Sequence, residues 1–170
     1  STVLDVEAGS NQVFFLLILF MFAIGSGAAI FTAQYWGKRD IAAIRGTLGL
    51  GLAVMMAGSL VFFGASQLAP AFLIGVFSPD PAVVAIGSRF LRIASWGFLF
   101  QAVSLSYVNV LRSVERVRMP LFASALSLAI NTFLNWALIF GRLGLPAMGV
   151  EGSAIATVIA RFLEMAIIVV

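Results

Sequence analysis

Residues 12–35 read QVFFLLILFMFAIGSGAAIFTAQY, an apolar run without one charged side chain. A helix needs about 20 such residues to cross the ~30 Å hydrocarbon layer of a bilayer. Four further apolar stretches of similar length follow at 46–68, 88–111, 121–140 and 149–170. A water-soluble chain must cover its core with polar residues, and this one has few: 62% of its 170 residues are hydrophobic and 10% are charged. The average soluble domain is about 25% charged. Mean hydropathy is +1.11. The expected fold is therefore all-α, a polytopic transmembrane bundle of about five membrane-spanning helices whose first partner is the lipid bilayer. Strands of a membrane β-barrel would be about half as long and would alternate, which these stretches do not.

Charge and rare residues narrow the function. The net charge of +3 and pI near 10.2 come from cations placed in short runs between apolar spans. That pattern is a topology signal and does not point to a nucleic-acid partner. Cysteine and histidine are both absent. Disulfides, thiolate metal sites, a Ser-His-Asp arrangement and the commonest general base are excluded with them. The carboxylates are scattered, without metal-ligand spacing, and the glycines around Gly25 and Gly46 match neither a P-loop nor a dinucleotide fingerprint. No catalytic residue, metal or cofactor is expected, and the chain is not read as an enzyme. Its acidic start and long first run do not fit a secretory leader. The chain opens at Ser1 and stops within the apolar run Ala166–Val170, so it is expected to be a fragment of a longer protein, inactive alone.

The loops sort by charge. Lys38, Arg39 and Arg45 follow the first span, and Arg112, Arg116 and Arg118 follow the third. The loop at Ser78-Pro79-Asp80-Pro81 has no cation, though Arg89 and Arg92 come soon after, and the last loop has only Arg142. Cytoplasmic loops carry the excess of Lys and Arg, which places the first and third loops inside. Asp80 before Pro81 predicts an N-cap with proline at the first helical position, and Pro120 is expected to start the fourth span likewise. Gly141, Gly144 and Pro146 punctuate the chain before the fifth.

Polar groups are costly in hydrocarbon, so their placement carries the functional reading. Ser124, Ser127, Asn131 and Asn135 recur every three or four residues and form one stripe of the fourth span. Ser153, Thr157, Arg161 and Glu164 form a second stripe on the fifth. Arg161 lies about 18 Å along its helix from Gly149 at 1.5 Å per residue, deep enough to need a partner, and Glu164 one turn later can supply it. Gln101 and Ser104 share a face of the third span, with Asn109 elsewhere. These stripes are either hydrogen-bonding glue between helices or the lining of a cavity for substrate or ion. The Arg161–Glu164 pair is either structural or ion-coupling. Gly25, Gly27 and Gly152 let helices pack closely or slide, and a few phenylalanines can line a pocket for flat apolar substrates.

Three segments together resemble the multidrug and toxic compound extrusion (MATE) transporters: GAAIFTAQYWGKRD at 27–40, which holds Gly37; NTFLNWALIFG at 131–141; and GLP at 144–146 followed by GVEGSAIAT at 149–157. The resemblance covers nearly the whole chain. It implies that residues 1–170 are helices two to six of the amino-terminal lobe of a twelve-helix, two-lobed transporter in a bacterial plasma membrane. The missing partners would be the first helix and the carboxyl-terminal lobe. It implies export of small organic, often cationic, drugs in exchange for H+ or Na+, with Asn131, Asn135, Ser127, Thr157 and Gln101 at the cavity. Two departures stand out. Asn135 occupies a position that is often aspartate in the family. Glu115 stands where glycine is common, a change for which a more helical loop is one reading. A lipid-linked saccharide flippase of related architecture and a non-transporting membrane scaffold are the alternative readings.

Overall fold

The computed structural model of the protein describes residues 2–77, 80–141 and 147–170. Pro79, Arg142, Gly144 and Pro146, read above as loop punctuation, lie outside the described residues. Among the described residues seven helices follow in order: α1 (Thr2–Gly37), α2 (Ile41–Leu68), α3 (Pro70–Gly75), α4 (Pro81–Ala94), α5 (Trp96–Ser113), α6 (Arg118–Ile139) and α7 (Gly149–Val169). Among them α1, α2, α6 and α7 are long and apolar enough to cross a membrane, and α4 with α5 makes a fifth, bent span. The predicted all-α bundle is what forms.

Local chemistry sets most boundaries. The Asp40 side chain accepts from the Ala43 amide at 3.0 Å and starts α2 five residues earlier than the apolar run suggested. Asp80 caps α4 through the Ala82 amide at 2.9 Å, with Pro81 at the first helical position as predicted. Pro120 is not the first residue of α6, which begins at Arg118. It sits third, still within the turn whose amides have no helical partner. The six-residue helix α3, opened by Pro70, was not legible in the loop.

The third span departs most from expectation. It is two helices meeting at Ser95 with a 45° bend, and it begins at Pro81 instead of residue 88. Ser95 turns its hydroxyl back onto the Arg92 carbonyl at 2.9 Å. Gln67 of α2 donates to the same carbonyl at 2.8 Å and to Ser95 Oγ at 3.0 Å. Sharp bends arise where a side chain enters the helical hydrogen-bond ladder, and here two do.

The bundle is apolar outside as well as inside. Phe22, Leu50, Val61 and Leu121 are all roughly 70% exposed, a surface that lipid tolerates and water does not. Leu17, Met21, Met55, Ile74, Leu91 and Phe98 form the main core where α1 to α5 converge. A smaller cluster of Val108, Ala123 and Ile168 joins α5, α6 and α7. Arg89, which weakened the loop-charge contrast, lies in the second half of α4 and meets Glu151 in the first turn of α7 at 3.6 Å.

The glycines separate by what surrounds them. A Cβ on Gly25 would collide with the Asn109 amide of α5, and one on Gly152 would press on the Leu138 backbone at 3.0 Å. Around Gly27, Gly37 and Gly149 a Cβ would meet nothing within 4 Å among the described residues. Gly141, at φ +64°, turns the chain against Ala147. Glu115 also takes a left-handed conformation, φ 63°. The loop is therefore not more helical: it keeps a turn that suits glycine, with a side chain attached.

Two outcomes follow for stability in detergent or nanodiscs. Replacing Glu115 by Gly removes a left-handed cost of about 1–2 kcal/mol, partly offset by about 0.5–1 kcal/mol of added chain entropy when unfolded. A small rise in melting temperature is expected. Gly152→Leu should destabilise by about 1–3 kcal/mol through overpacking, whereas Gly27→Leu should leave the melting temperature unchanged.

Candidate polar cavity

The two polar stripes face each other. α6 and α7 run antiparallel and form the most extensive helix pair in the bundle, joined by rungs. Nearest the start of α6, Ser124 donates to Glu164 Oε1 at 2.7 Å. Ser127 donates to the Ala160 carbonyl at 2.9 Å. Asn131 Nδ2 donates to Thr157 Oγ1 at 3.4 Å, and Thr157 passes its own proton to the Ser153 carbonyl at 3.0 Å. Asn135 Nδ2 donates to Asn131 Oδ1 at 3.1 Å. Residues spaced by three and four on each helix meet because both stripes follow the helical period.

Arg161 finds the partner expected for it. Its Nη1 donates to Glu164 Oε2 at 2.9 Å. With Ser124 on the other oxygen, Glu164 has both oxygens engaged and its side chain is only 7% exposed. The arginine side chain remains 40% exposed. It borders two openings in the bundle. One, of about 370 Å³, lies along the α6–α7 seam and is lined by Ser127, Asn131, Thr157 and Glu164. The other, of about 470 Å³, reaches across to α1, α4 and α5, where Phe14, Phe90, Phe98 and Gln101 form its far side. Asn131, Thr157 and Arg161 line both.

The sequence-derived residues therefore divide. Asn131, Asn135, Thr157, Gln101 and Arg161 are brought to one cavity, the larger one. Ser127 borders only the smaller one, and its hydroxyl is spent on a backbone carbonyl. Ser104, one turn from Gln101, is buried with no hydrogen-bond partner. Asn109 lies away from this cavity, against Gly25. Reasoning from the sequence missed Gln67 at the bend, whose signal was an amide near the end of an otherwise apolar run. It also did not single out which phenylalanines wall the cavity. Phe14 and Phe98 pack edge to face with ring centroids 5.0 Å apart.

Comparison with known proteins gives a consistent picture. The MatE family model matches residues 2–137. The chain is 26% identical, over 94% of its length, to a protein of Thermotoga maritima named "Probable multidrug resistance protein NorM", of which it covers 34%. It is 28% identical over 91% of its length to a protein of the same name from Agrobacterium fabrum, again covering 34% of it. To "Probable multidrug resistance protein YoeA" of Bacillus subtilis it is 27% identical over 92% of its length, covering 34% of that protein. The chain thus spans about a third of the length of these curated relatives. No solved structure matched the chain.

Removing one member of the Arg161–Glu164 pair should be unequal in effect. Arg161→Gln leaves the enclosed Glu164 carboxylate with only Ser124 and is expected to cost about 1–3 kcal/mol. Glu164→Gln leaves a half-exposed arginine that can turn to the cavity, and it should cost less. Unfolding of both variants in nanodiscs, followed by circular dichroism, measures the order.

Proposed function

This chain is a member of the MatE family and an integral bacterial membrane protein, and from that premise we propose that it is part of the amino-terminal lobe of a secondary active efflux transporter of the inner membrane. The whole protein would export drugs or other toxic organic compounds in exchange for H+ or Na+. The first helix and the carboxyl-terminal lobe would complete the path, and the isolated chain would not transport. The names of the relatives, which concern multidrug resistance, support drug over lipid-linked saccharide as cargo.

One observation carries the reading. Amides, a threonine hydroxyl and a guanidinium converge on openings inside a bundle whose outer surface is aliphatic and aromatic. Glue alone would need only the rungs between α6 and α7. Intramembrane ionisable groups that border a cavity are the usual marks of a substrate or ion path. Asn135 and Asn131 would bind cargo or its water, and the Arg161–Glu164 pair offers, among the described residues, the one ion pair along these linings to respond to a coupling ion. The work proposed is translocation, with no covalent chemistry.

The test is drug export by cells expressing the complete gene product. Asn131→Ala and Asn135→Ala are each expected to reduce export of at least some compounds about tenfold, the loss of one well-placed polar contact, at normal membrane abundance. Unchanged export of every compound tried, with normal abundance, would remove the assignment.

A further inference from the structure

Six cations stand at the end of the bundle that the loop charges place inside the cell. Lys38, Arg39 and Arg45 surround the α1–α2 turn, and Arg112, Arg116 and Arg118 surround the α5–α6 turn. Ser113, the last residue of α5, donates to the Ala29 carbonyl of α1 at 3.3 Å and draws the second turn toward the first. All six residues are exposed. The ion pairs among the described residues join Arg89 to Glu151 and Arg161 to Glu164, so none of the six is neutralised by them. Two carboxylates, Asp40 and Glu115, lie in the same turns, and the first is turned onto the Ala43 amide.

The α1–α2 turn adds a shape to that charge. Trp36, Gly37, Arg39 and Ile41 line a surface notch of about 530 Å³. The turn around it is tight: the Arg39 amide donates to the Trp36 carbonyl and the Asp40 amide to the Tyr35 carbonyl, each at 3.0 Å. Arg39 takes a left-handed conformation, φ 57°, where glycine would be cheaper. A cation kept at a costly backbone position points to a use for its side chain. Trp36 and Ile41 are both more than 40% exposed, so the notch sets a guanidinium beside an indole and an aliphatic chain. Indole rings settle at the level of lipid headgroups, and a guanidinium fork matches the oxygens of a phosphate. A soluble anion would use the charge alone, whereas a phospholipid uses the charge and the apolar pair together. The second turn repeats the mixture, with exposed Val117 and Met119 interleaving Arg116 and Arg118.

We propose that this notch seats an anionic phospholipid of the cytoplasmic leaflet, its phosphate on Arg39 and its glycerol and first chain carbons against Trp36 and Ile41. The other five cations draw such lipids toward this end of the bundle, an attraction that falls off within a Debye length. Arg39 supplies the fixed contact. A lipid bound there braces the turn that joins α1 to α2. Such a site needs only the membrane location of the chain, whatever the polar cavity carries.

The experiment uses the complete gene product in phosphatidylcholine nanodiscs doped with a small share of one photoreactive lipid. Phosphatidylglycerol and phosphatidylcholine, each with the same diazirine near the top of one chain, are compared, and crosslinked residues are mapped by mass spectrometry. Phosphatidylglycerol is expected to label residues 36–41 at least about fivefold more than phosphatidylcholine, one near-surface cation's worth. Arg39→Gln should bring that ratio close to one, and Arg39→Lys should keep part of it, since it retains the charge without the fork. Arg118→Gln, which removes a charge from the same end but not from the notch, should keep most of the ratio. Equal losses in Arg39→Gln and Arg118→Gln would mean a diffuse field of cations without a seat, and would overturn the proposal. Equal labelling of the unsubstituted protein by both lipids would overturn it too, as would labelling by neither, the mark of a notch covered by another part of the protein. None of these outcomes bears on the polar cavity, which is tested separately by export in the Asn131 and Asn135 variants.

Discussion

Hydrocarbon offers a polar group nothing to bond to, and the arrangement of this bundle follows from that poverty. Each amide, hydroxyl and charge placed within a span has to be met by another part of the protein or by enclosed water. The seam between α6 and α7 is one place where they are met. Ser124, Ser127 and Asn131 on one helix are answered by Glu164, the Ala160 carbonyl and Thr157 on the other, and Asn135 by Asn131 of its own helix. Antiparallel pairing allows a stripe of period 3.6 to find its complement along its whole length. Were either stripe rotated toward lipid, Ser124, Ser127 and Asn131 would lose their partners on α7 together.

That seam also positions the cavities. Once Asn131 and Thr157 face each other, residues one turn away on either helix splay around the contact line, and the aromatic faces of α1, α4 and α5 close the remaining space. Arg161 stands at the boundary between the two openings, held by a carboxylate behind it. The pair thus does two things at once. It removes an isolated charge from the membrane interior, which would be costly, and it leaves a rigid donor fork available to whatever enters.

Much of this could be read from residue order, and the limits have physical causes. The stripes were visible because polar residues at spacings of three and four declare a helical face regardless of what they touch. Their meaning was not, because Ser127 and Asn131 occupy the same face and only the opposing helix decides that one bonds a backbone carbonyl and the other borders a cavity. Gly25 and Gly27 look equivalent in the chain, yet two residues turn the helix by about 200°, so only Gly25 meets Asn109. Asp80-Pro81 announced α4 through local chemistry. The bend at Ser95 had no such announcement, since it lacks proline and depends on Gln67, far away in sequence. Glu115 concealed its turn entirely, because a left-handed backbone is normally betrayed by glycine or asparagine.

The bracket at Ser95 changes what a bent span can do. An ordinary helix that flexes in oil strips a carbonyl of its amide, and the loss resists motion. Here the Arg92 oxygen already draws hydrogens from a glutamine on a different helix and from its own neighbour's hydroxyl. A change of angle between α4 and α5 that keeps these bonds leaves the Arg92 oxygen partnered and carries the end of α2 with it. The joint behaves as a hinge with a strap, movable as a unit and unable to fold back alone.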